Sequence, residues 1–372
     1  MAILIVALAS SILYHSLSSE QPKQTYIGVA FCGDTVDQAE QLIDRVKNYT
    51  NLFILQSGPI SMDENATTEI CDYATNHGLN IIVYFGDLAP RILAQKGLEW
   101  RTSFTNSAQE RYGEKFLGIY YYDERGGIYL DTDKEAHNWT LPANATYSSV
   151  AQTFVNGFLH EGGTVDLKAA NIPMYASDYA LYWFDYQSGY DVMLAQIGWN
   201  HSLTQDIALL RGAAKMQSKD WGIIITWKYN QTPYLDTGEV IYQQMLTSYR
   251  AGAKYITIFN YPYEDGSVYG TMSDEHFDAL ERLWNTVNHG NVDSLEADSV
   301  LVLPKDYGFG LRRLDDTIWG FWGPDQDTLQ VWNITQTLLA QYGTSLDIIY
   351  DDPAYPVEGQ YQNVYYWNST TF

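Results

Sequence analysis

Two periodicities alternate along this chain. Short runs rich in β-branched and aromatic residues, apolar on both faces, give way to longer stretches whose apolar positions recur every three or four residues. The first run is TYIGVAF, Thr25 to Phe31, and the helical pattern TVDQAEQLIDRVKNY follows it, from Thr35 to Tyr49. The pairing repeats with NLFILQSG (Asn51 to Gly58) before a helix closing at Gly78, and with LNIIVYFGD (Leu79 to Asp87) before Arg91 to Gly113. KFLGIYYYDERGG (Lys115 to Gly127) precedes a polar loop from Ile128 to Asn144 and a helix from Tyr147 to Glu161. IPMYASD (Ile172 to Asp178), DVMLAQIGWN (Asp191 to Asn200), WGIIITWKYN (Trp221 to Asn230) and KYITIFNYPYE (Lys254 to Glu264) each lead into a further helical pattern. Runs apolar on both faces belong to strands buried on both sides, the condition of a parallel sheet covered by helices.

Eight such units in about 265 residues predict an α/β fold closed as a (β/α)8 TIM barrel. The competing arrangement is an open, doubly wound sheet, but no glycine-rich phosphate-binding turn follows the first strand. Beyond Gly290 the rhythm changes. A strand, SVLVLP (Ser299 to Pro304), a turn-rich segment, one helix and two short strands predict a small α/β appendage. The expected organisation is a signal peptide or N-terminal anchor with a spacer over 1–23, the barrel over 24–292 and a small C-terminal α/β domain over 293–372.

The first segment rests on AILIVALASSIL, Ala2 to Leu13, which is short for a membrane span and matches the apolar core of a signal peptide. Sequons point the same way: Asn-x-Ser/Thr occurs at Asn48, Asn65, Asn138, Asn144, Asn200, Asn230, Asn333 and Asn368, more often than chance gives. The expectation is an extracellular or cell-surface glycoprotein carrying N-linked glycans, with a possible membrane tether at its N-terminus. Cys32 and Cys71 have no zinc-like spacing; they form either one disulfide or two free thiols.

Charge narrows the partners. With 45 acidic against 21 basic residues the net charge is −24, a field that repels nucleic acid and disfavours strongly anionic substrates. Aromatics make up 15% of the chain, including 31 Tyr and 11 Trp, enough for both a thick core and a cleft of flat rings that stack on sugars. No HExxH, calcium loop, P-loop or serine nucleophile elbow is present, so no metal or other cofactor is expected.

A parallel barrel gathers its chemistry at the C-terminal ends of its strands. Those ends supply Asp34, Gln56, Asp87, Asp123 and Glu124, then Asp178, Gln196 and Trp199, and finally Trp227, Lys228, Tyr229, Asn260, Tyr263, Glu264 and Asp265. Carboxylates, amides and rings together are what glycoside cleavage asks for. Strand four carries the adjacent acids. Alternation sets Tyr120, Tyr122 and Glu124 on one side and Tyr121 and Asp123 on the other. Two tyrosines beneath Glu124 would raise its pKa by desolvation and suit it as general acid. The plainer alternative is structural: Asp123 caps a turn and Glu124 pairs with Arg125. Asp178 is the candidate second carboxylate, with capping of the next helix as its alternative role. A separation near 5 Å from Glu124 would go with retention and a wider one with inversion. Asp87, Gln56, Tyr122, Trp199, Trp227, Tyr229, Asn260 and Tyr263 are the candidate substrate-binding residues. Trp319, Trp322 and the Lys305-Asp306-Tyr307 turn are candidates to extend a cleft.

The segment LGIYYYDERGG resembles the strand-four signature of TIM-barrel glycosidases, and its Asp-Glu is similar to that of the hexosaminidases. That resemblance implies that Asp123 orients a substrate acetamido group while Glu124 protonates the leaving oxygen. The hexosaminidase His-x-Gly-Gly lead-in is absent. Strand seven ends in Trp227-Lys228-Tyr229 and lacks the nucleophilic Glu of cellulase-like retaining enzymes. The expected function is glycoside hydrolysis of an oligo- or polysaccharide by carboxylate acid/base catalysis. The alternative is a non-catalytic carbohydrate-binding or cell-envelope barrel. A lyase or deacetylase lacks the metal ligands or basic groups it would need.

Overall fold

The computed structural model describes residues 24–199, 201–261 and 267–369. Eight parallel strands close into a barrel in sequence order: β1 (Tyr26–Phe31), β2 (Leu52–Leu55), β3 (Asn80–Phe85), β4 (Phe116–Tyr121), β5 (Met174–Asp178), β6 (Val192–Ile197), β7 (Asp220–Ile225) and β8 (Tyr255–Asn260). β8 pairs back onto β1, from Tyr26 opposite Tyr255 to Phe31 opposite Asn260, so the open-sheet alternative is excluded. The strands are buried almost throughout, which is why their sequences show no polar face.

Helices jacket the barrel: α1 (Val36–Val46), α2 (Glu64–Asn76), α3 (Pro90–Lys96), α4 (Trp100–Tyr112), α5 (Arg125–Asp131), α6 (Tyr147–Leu159), α7 (Gly162–Ala169), α8 (Tyr182–Gln187), α9 (Leu203–Met216), α10 (Gly238–Arg250) and α11 (Asp274–His289). α1 shows how they start. The Thr35 side chain accepts from the Gln38 backbone and Gln38 reaches back to Thr35, a reciprocal cap that satisfies two orphan amides. One expectation is corrected here. The stretch read as a polar loop from Ile128 begins inside α5, which leaves β4 almost at once.

A β-bulge aims that exit. Ile81 faces Phe116 but Ile82 faces Gly118, so Leu117 is left over. Gly118 has φ 149, and a Cβ there would stand 2.3 Å from Pro173 O at the entry to β5. Only glycine lets β4 pass so close to its neighbour.

The C-terminal region forms a three-stranded parallel sheet in the order β10 (Leu346–Tyr350), β9 (Ser299–Leu303), β11 (Asn363–Tyr366), crossed by α12 (Thr328–Tyr342). It docks on α9 of the barrel. Gly212 lets β10 approach, since a Cβ would lie 2.6 Å from Ile348 O. Arg211 donates from Nε to Asp347 Oδ1 at 2.7 Å and from Nη2 to Thr344 O at 2.6 Å.

Cys32 and Cys71 are separate free thiols. Asn48, Asn65, Asn138, Asn144, Asn230, Asn333 and Asn368 are all exposed; Asn200 and the expected signal segment lie outside the described residues. Among the described residues no helix is long and apolar enough to cross a membrane.

Candidate functional site

β4 ends at Tyr121, and the chain leaves it through two left-handed residues, Tyr122 (φ 58) and Glu124 (φ 52), on either side of Asp123. Non-glycine residues hold that conformation only where their surroundings impose it, at about 1–3 kcal/mol each. Here the Tyr122 ring packs on Tyr121 and Phe158, with centroids 5.0 and 5.5 Å away, and Glu124 N donates to Ser177 O at 3.0 Å. The first left-handed step breaks the alternation expected from the sequence. Tyr122 turns outward beside Tyr121, and Asp123 turns inward above Tyr120. The tyrosine expected beneath Glu124 therefore stands beneath Asp123.

Tyr120 donates its hydroxyl to Asp123 Oδ1 and accepts from Ser177 N at 2.9 Å. Ser177 Oγ lies 3.1 Å from the same carboxylate oxygen, and Gln56 Nε2 donates to Oδ2 at 3.3 Å. Glu124 Oε1 accepts from Gln196 Nε2 at 2.7 Å, and that nitrogen also reaches Ser177 Oγ at 2.9 Å. Ser177 thus joins the two acids into one network. Burial, then the charge of Glu124, lifts the Asp123 carboxyl to about 7, while the bonds from Tyr120 and Ser177 hold it back in part. Desolvation thus raises Asp123, which stands above Tyr120 in the place expected of Glu124. Burial and the Asp123 charge push the Tyr120 hydroxyl far up, so it stays a donor.

Arg125 does not pair with Glu124. Its guanidinium turns away over Phe154, 3.7 Å from the ring centroid, donates to Ser188 Oγ at 2.8 Å and sits 3.8 Å from Asp185. Among the described residues neither Asp123 nor Glu124 has a Lys, Arg or His partner.

Both acids line a cavity of about 230 Å³ at the barrel mouth. Gln56, Asp123, Glu124, Ser177 and Gln196 form a polar wall from β2, β4, β5 and β6. Trp199, Ile224, Trp227, Phe259 and Tyr261 form an apolar wall from β6 to β8, with Thr226 among them. The rings make a continuous arc: Trp199 to Trp227 at 6.1 Å, Trp227 to Tyr261 at 4.9 Å and Tyr261 to Phe259 at 6.1 Å between centroids. Trp199 stands at the rim, 45% exposed and left-handed at φ 49, its N–H donating to Trp227 O at 2.9 Å. A pyranose presents an apolar face of C–H groups and an edge of hydroxyls, and this cavity offers a wall for each. Among the described residues no group of three or more His, Cys, Asp or Glu is placed to hold a metal.

No protein-family model matches the chain, and no curated protein matches it by sequence. Solved structures do match. GH5_18 from Streptomyces cattleya, in complex with GlcNAc, superposes with a TM-score of 0.58 at 11% identity, over 93% of this chain and 99% of that one. The GH99 endo-alpha-mannosidase from Bacteriodes thetaiotaomicron gives 0.41 at 11% identity, over 68% and 84%. A truncated 3-deoxy-D-arabino-heptulosonate 7-phosphate synthase from Thermotoga maritima gives 0.39 at 9% identity, over 72% and 88%. The likeness is one of fold. The chain has the TIM-barrel architecture that glycosidases share with other enzymes.

Of the residues expected at the site, Asp123, Glu124, Gln56, Trp199 and Trp227 come together in this cavity, as does Gln196. Others do not. Asp178 spends its carboxylate on four backbone amides and does not line the cavity. Asp87 accepts from Ala89 N at 2.9 Å, capping the turn into α3. Tyr122 packs outside the barrel, Tyr229 is exposed beyond the lining, and Asn260 donates to Tyr269 O. Trp319 is fully buried, 4.7 Å from the Phe184 ring, and Trp322 packs on Tyr147, so neither extends a cleft. Tyr263, Glu264 and Asp265 lie outside the described residues. Sequence reasoning missed Ser177, Thr226, Phe259 and Tyr261. Each sits within two positions of a strand-end residue that was considered, so a wider reading of those ends would have included them.

Proposed function

We propose that the chain is a glycoside hydrolase, exported to the cell exterior, in which Asp123 and Glu124 supply the acid/base chemistry. The observation that carries this reading is the pair itself: adjacent carboxyls at the polar wall of a ring-lined cavity, without a counter-ion among the described residues, one of them lifted to about 7. A half-buried pair of carboxyls relieves its repulsion by keeping a proton, and a carboxyl that holds a proton near neutral pH is what a general acid requires. Asp123 holds that proton in the free protein. It passes to the glycosidic oxygen as the C–O bond breaks, while the negative charge of Glu124 stabilises the oxocarbenium-like ring. Water then adds to the anomeric carbon and its proton returns to the pair.

The sugar lies with its C–H face on Trp227 and Trp199 and its hydroxyl edge toward Gln56, Ser177 and Gln196. With two carboxyls and no Lys, Arg or His among the described lining residues, neutral glycans suit the cavity better than anionic ones. The GlcNAc in the GH5_18 complex makes N-acetylhexosamine glycosides an arm of any substrate panel. Exposure of every described sequon asparagine supports the reading of a glycosylated, exported protein.

The test is a panel of aryl glycosides and polysaccharides with wild type, Asp123→Asn and Glu124→Gln. Turnover by the wild type and a loss of at least ~10² in each variant is the expected pattern. A second reading, a glycan-binding barrel without turnover, is favoured by strand seven, which brings Thr226 and Trp227 but no carboxylate to the cavity lining. Sugar binding by all three proteins with no turnover in any would select it.

A further inference from the structure

Behind the two acids lies an arrangement that the proposed chemistry does not use. Asp178, the last residue of β5, accepts from four backbone N–H groups: Gly126 at 2.5 Å, Gly127 at 2.8 Å, Tyr179 at 2.7 Å and Ala180 at 3.2 Å. The first two amides open α5, whose N-cap is Glu124. An N-cap side chain ordinarily folds back onto such amides. Glu124 makes no cap hydrogen bond. Asp178 caps the helix from the neighbouring strand instead, and this releases the Glu124 carboxyl toward the cavity and Gln196.

The glycines are part of the same device. A Cβ on Gly126 would lie 2.5 Å from Ala180 O, and one on Gly127 would lie 2.1 Å from the Tyr179 ring. A larger residue at Gly126 meets backbone and would lift α5 off Asp178, whereas one at Gly127 meets the Tyr179 ring, which would have to shift. Arg125 anchors the other side of the turn, between the Phe154 ring and Asp185. Burial raises the carboxyls of both Asp178 and Asp185; the backbone amides oppose this at Asp178, and the Arg125 charge opposes it at Asp185. The segment Arg125-Gly126-Gly127 thereby acquires a physical reason, residue by residue.

We infer that Asp178, seated against Gly126 and Gly127, is a positioning residue that sets the direction of Glu124 and with it the charge that Asp123 feels. The catalytic side of this inference rests on the proposed function; its electrostatic side does not.

The experiment follows the Asp123 carboxyl by carbon-13 NMR across pH in wild type, Gly126→Ala and Asp178→Asn, together with kcat and KM on the best glycoside found. Gly126→Ala changes no charge. If Asp178 positions Glu124, the Asp123 midpoint falls from about 7 toward the ordinary carboxylate range as Glu124 swings away, and kcat drops about 10- to 100-fold with KM little changed. Asp178→Asn also withdraws a charge that acts on Asp123 directly, so it is compared with Asp178→Asn/Glu124→Gln; a fall that is larger with Glu124 present than without it serves if the alanine variant does not fold. Folded variants with lower melting temperature but an unshifted Asp123 midpoint would make Asp178 a helix cap and nothing more. Should the wild type hydrolyse no glycoside, the functional reading fails while the midpoint still decides the positioning role.

Discussion

Tyr120 stands directly beneath Asp123 and donates its hydroxyl to Oδ1. A hydrogen bond to a carboxylate favours the charged form, so this contact opposes the burial that lifts Asp123. Tyr120→Phe removes it and leaves the burial in place. The Asp123 midpoint should rise above about 7, by about one to two pH units for a charge-assisted bond. Carbon-13 titration reads this directly, and a midpoint that stays put would show that the hydroxyl does not act on the acid.

The same raised carboxyl makes a statement about stability. The folded value, about 7, exceeds the ordinary 3.8 of the unfolded chain. The folded form therefore favours the proton, and this contribution is complete below pH 3.8 and lost as pH rises through 7. Three pH units at about 1.4 kcal/mol each set an upper scale of roughly 4 kcal/mol. Asp123→Asn should melt higher than wild type at pH 8, with the gap closing toward pH 4. Equal melting temperatures at pH 8 would mean that the site stores no such strain.

The ring arc is expected to act on binding. Trp227 touches both Trp199 and Tyr261, so Trp227→Ala opens the middle of the apolar wall. KM should rise about tenfold, with kcat changed far less, because stacking holds substrate and transition state alike. A loss confined to kcat would place the ring in the chemistry instead.

The appendage is joined to the barrel by a buried ion pair. Arg211 is 8% exposed and Asp347 not at all. Asp347→Asn leaves the guanidinium buried without its charge partner, which costs about 3–5 kcal/mol. The melting temperature should drop by several degrees in one transition for barrel and appendage together. A separate early transition would show that the appendage unfolds alone.

The barrel was legible because it is written as a repeat. Eight buried strands and their amphipathic helices carry one signal over and over, and closure follows from β8 meeting β1. The two acids were legible for the same reason, as polar residues at a strand end. The difference between their surroundings was not. It depends on φ at Tyr122, where a left-handed turn cancels the alternation used to place Tyr120 under Glu124. Nothing in the tyrosine run YYY announces that turn. Asp178 was found as a strand-end acid, yet its role was hidden, because the amides it binds belong to Gly126 and Gly127, about fifty residues earlier. The glycines gave a local hint of tight packing, but their partners exist only once β4 and β5 lie side by side.

The most direct test of the central claim is the pH dependence of kcat/KM on an aryl glycoside for wild type and Asp123→Asn. The account expects a wild-type profile that falls above about 7 as Asp123 loses its proton. In Asp123→Asn it expects that limb to vanish along with at least ~10² of the rate. A variant that keeps both the rate and the limb would take the proton away from Asp123 and contradict the assignment on which the mechanism stands.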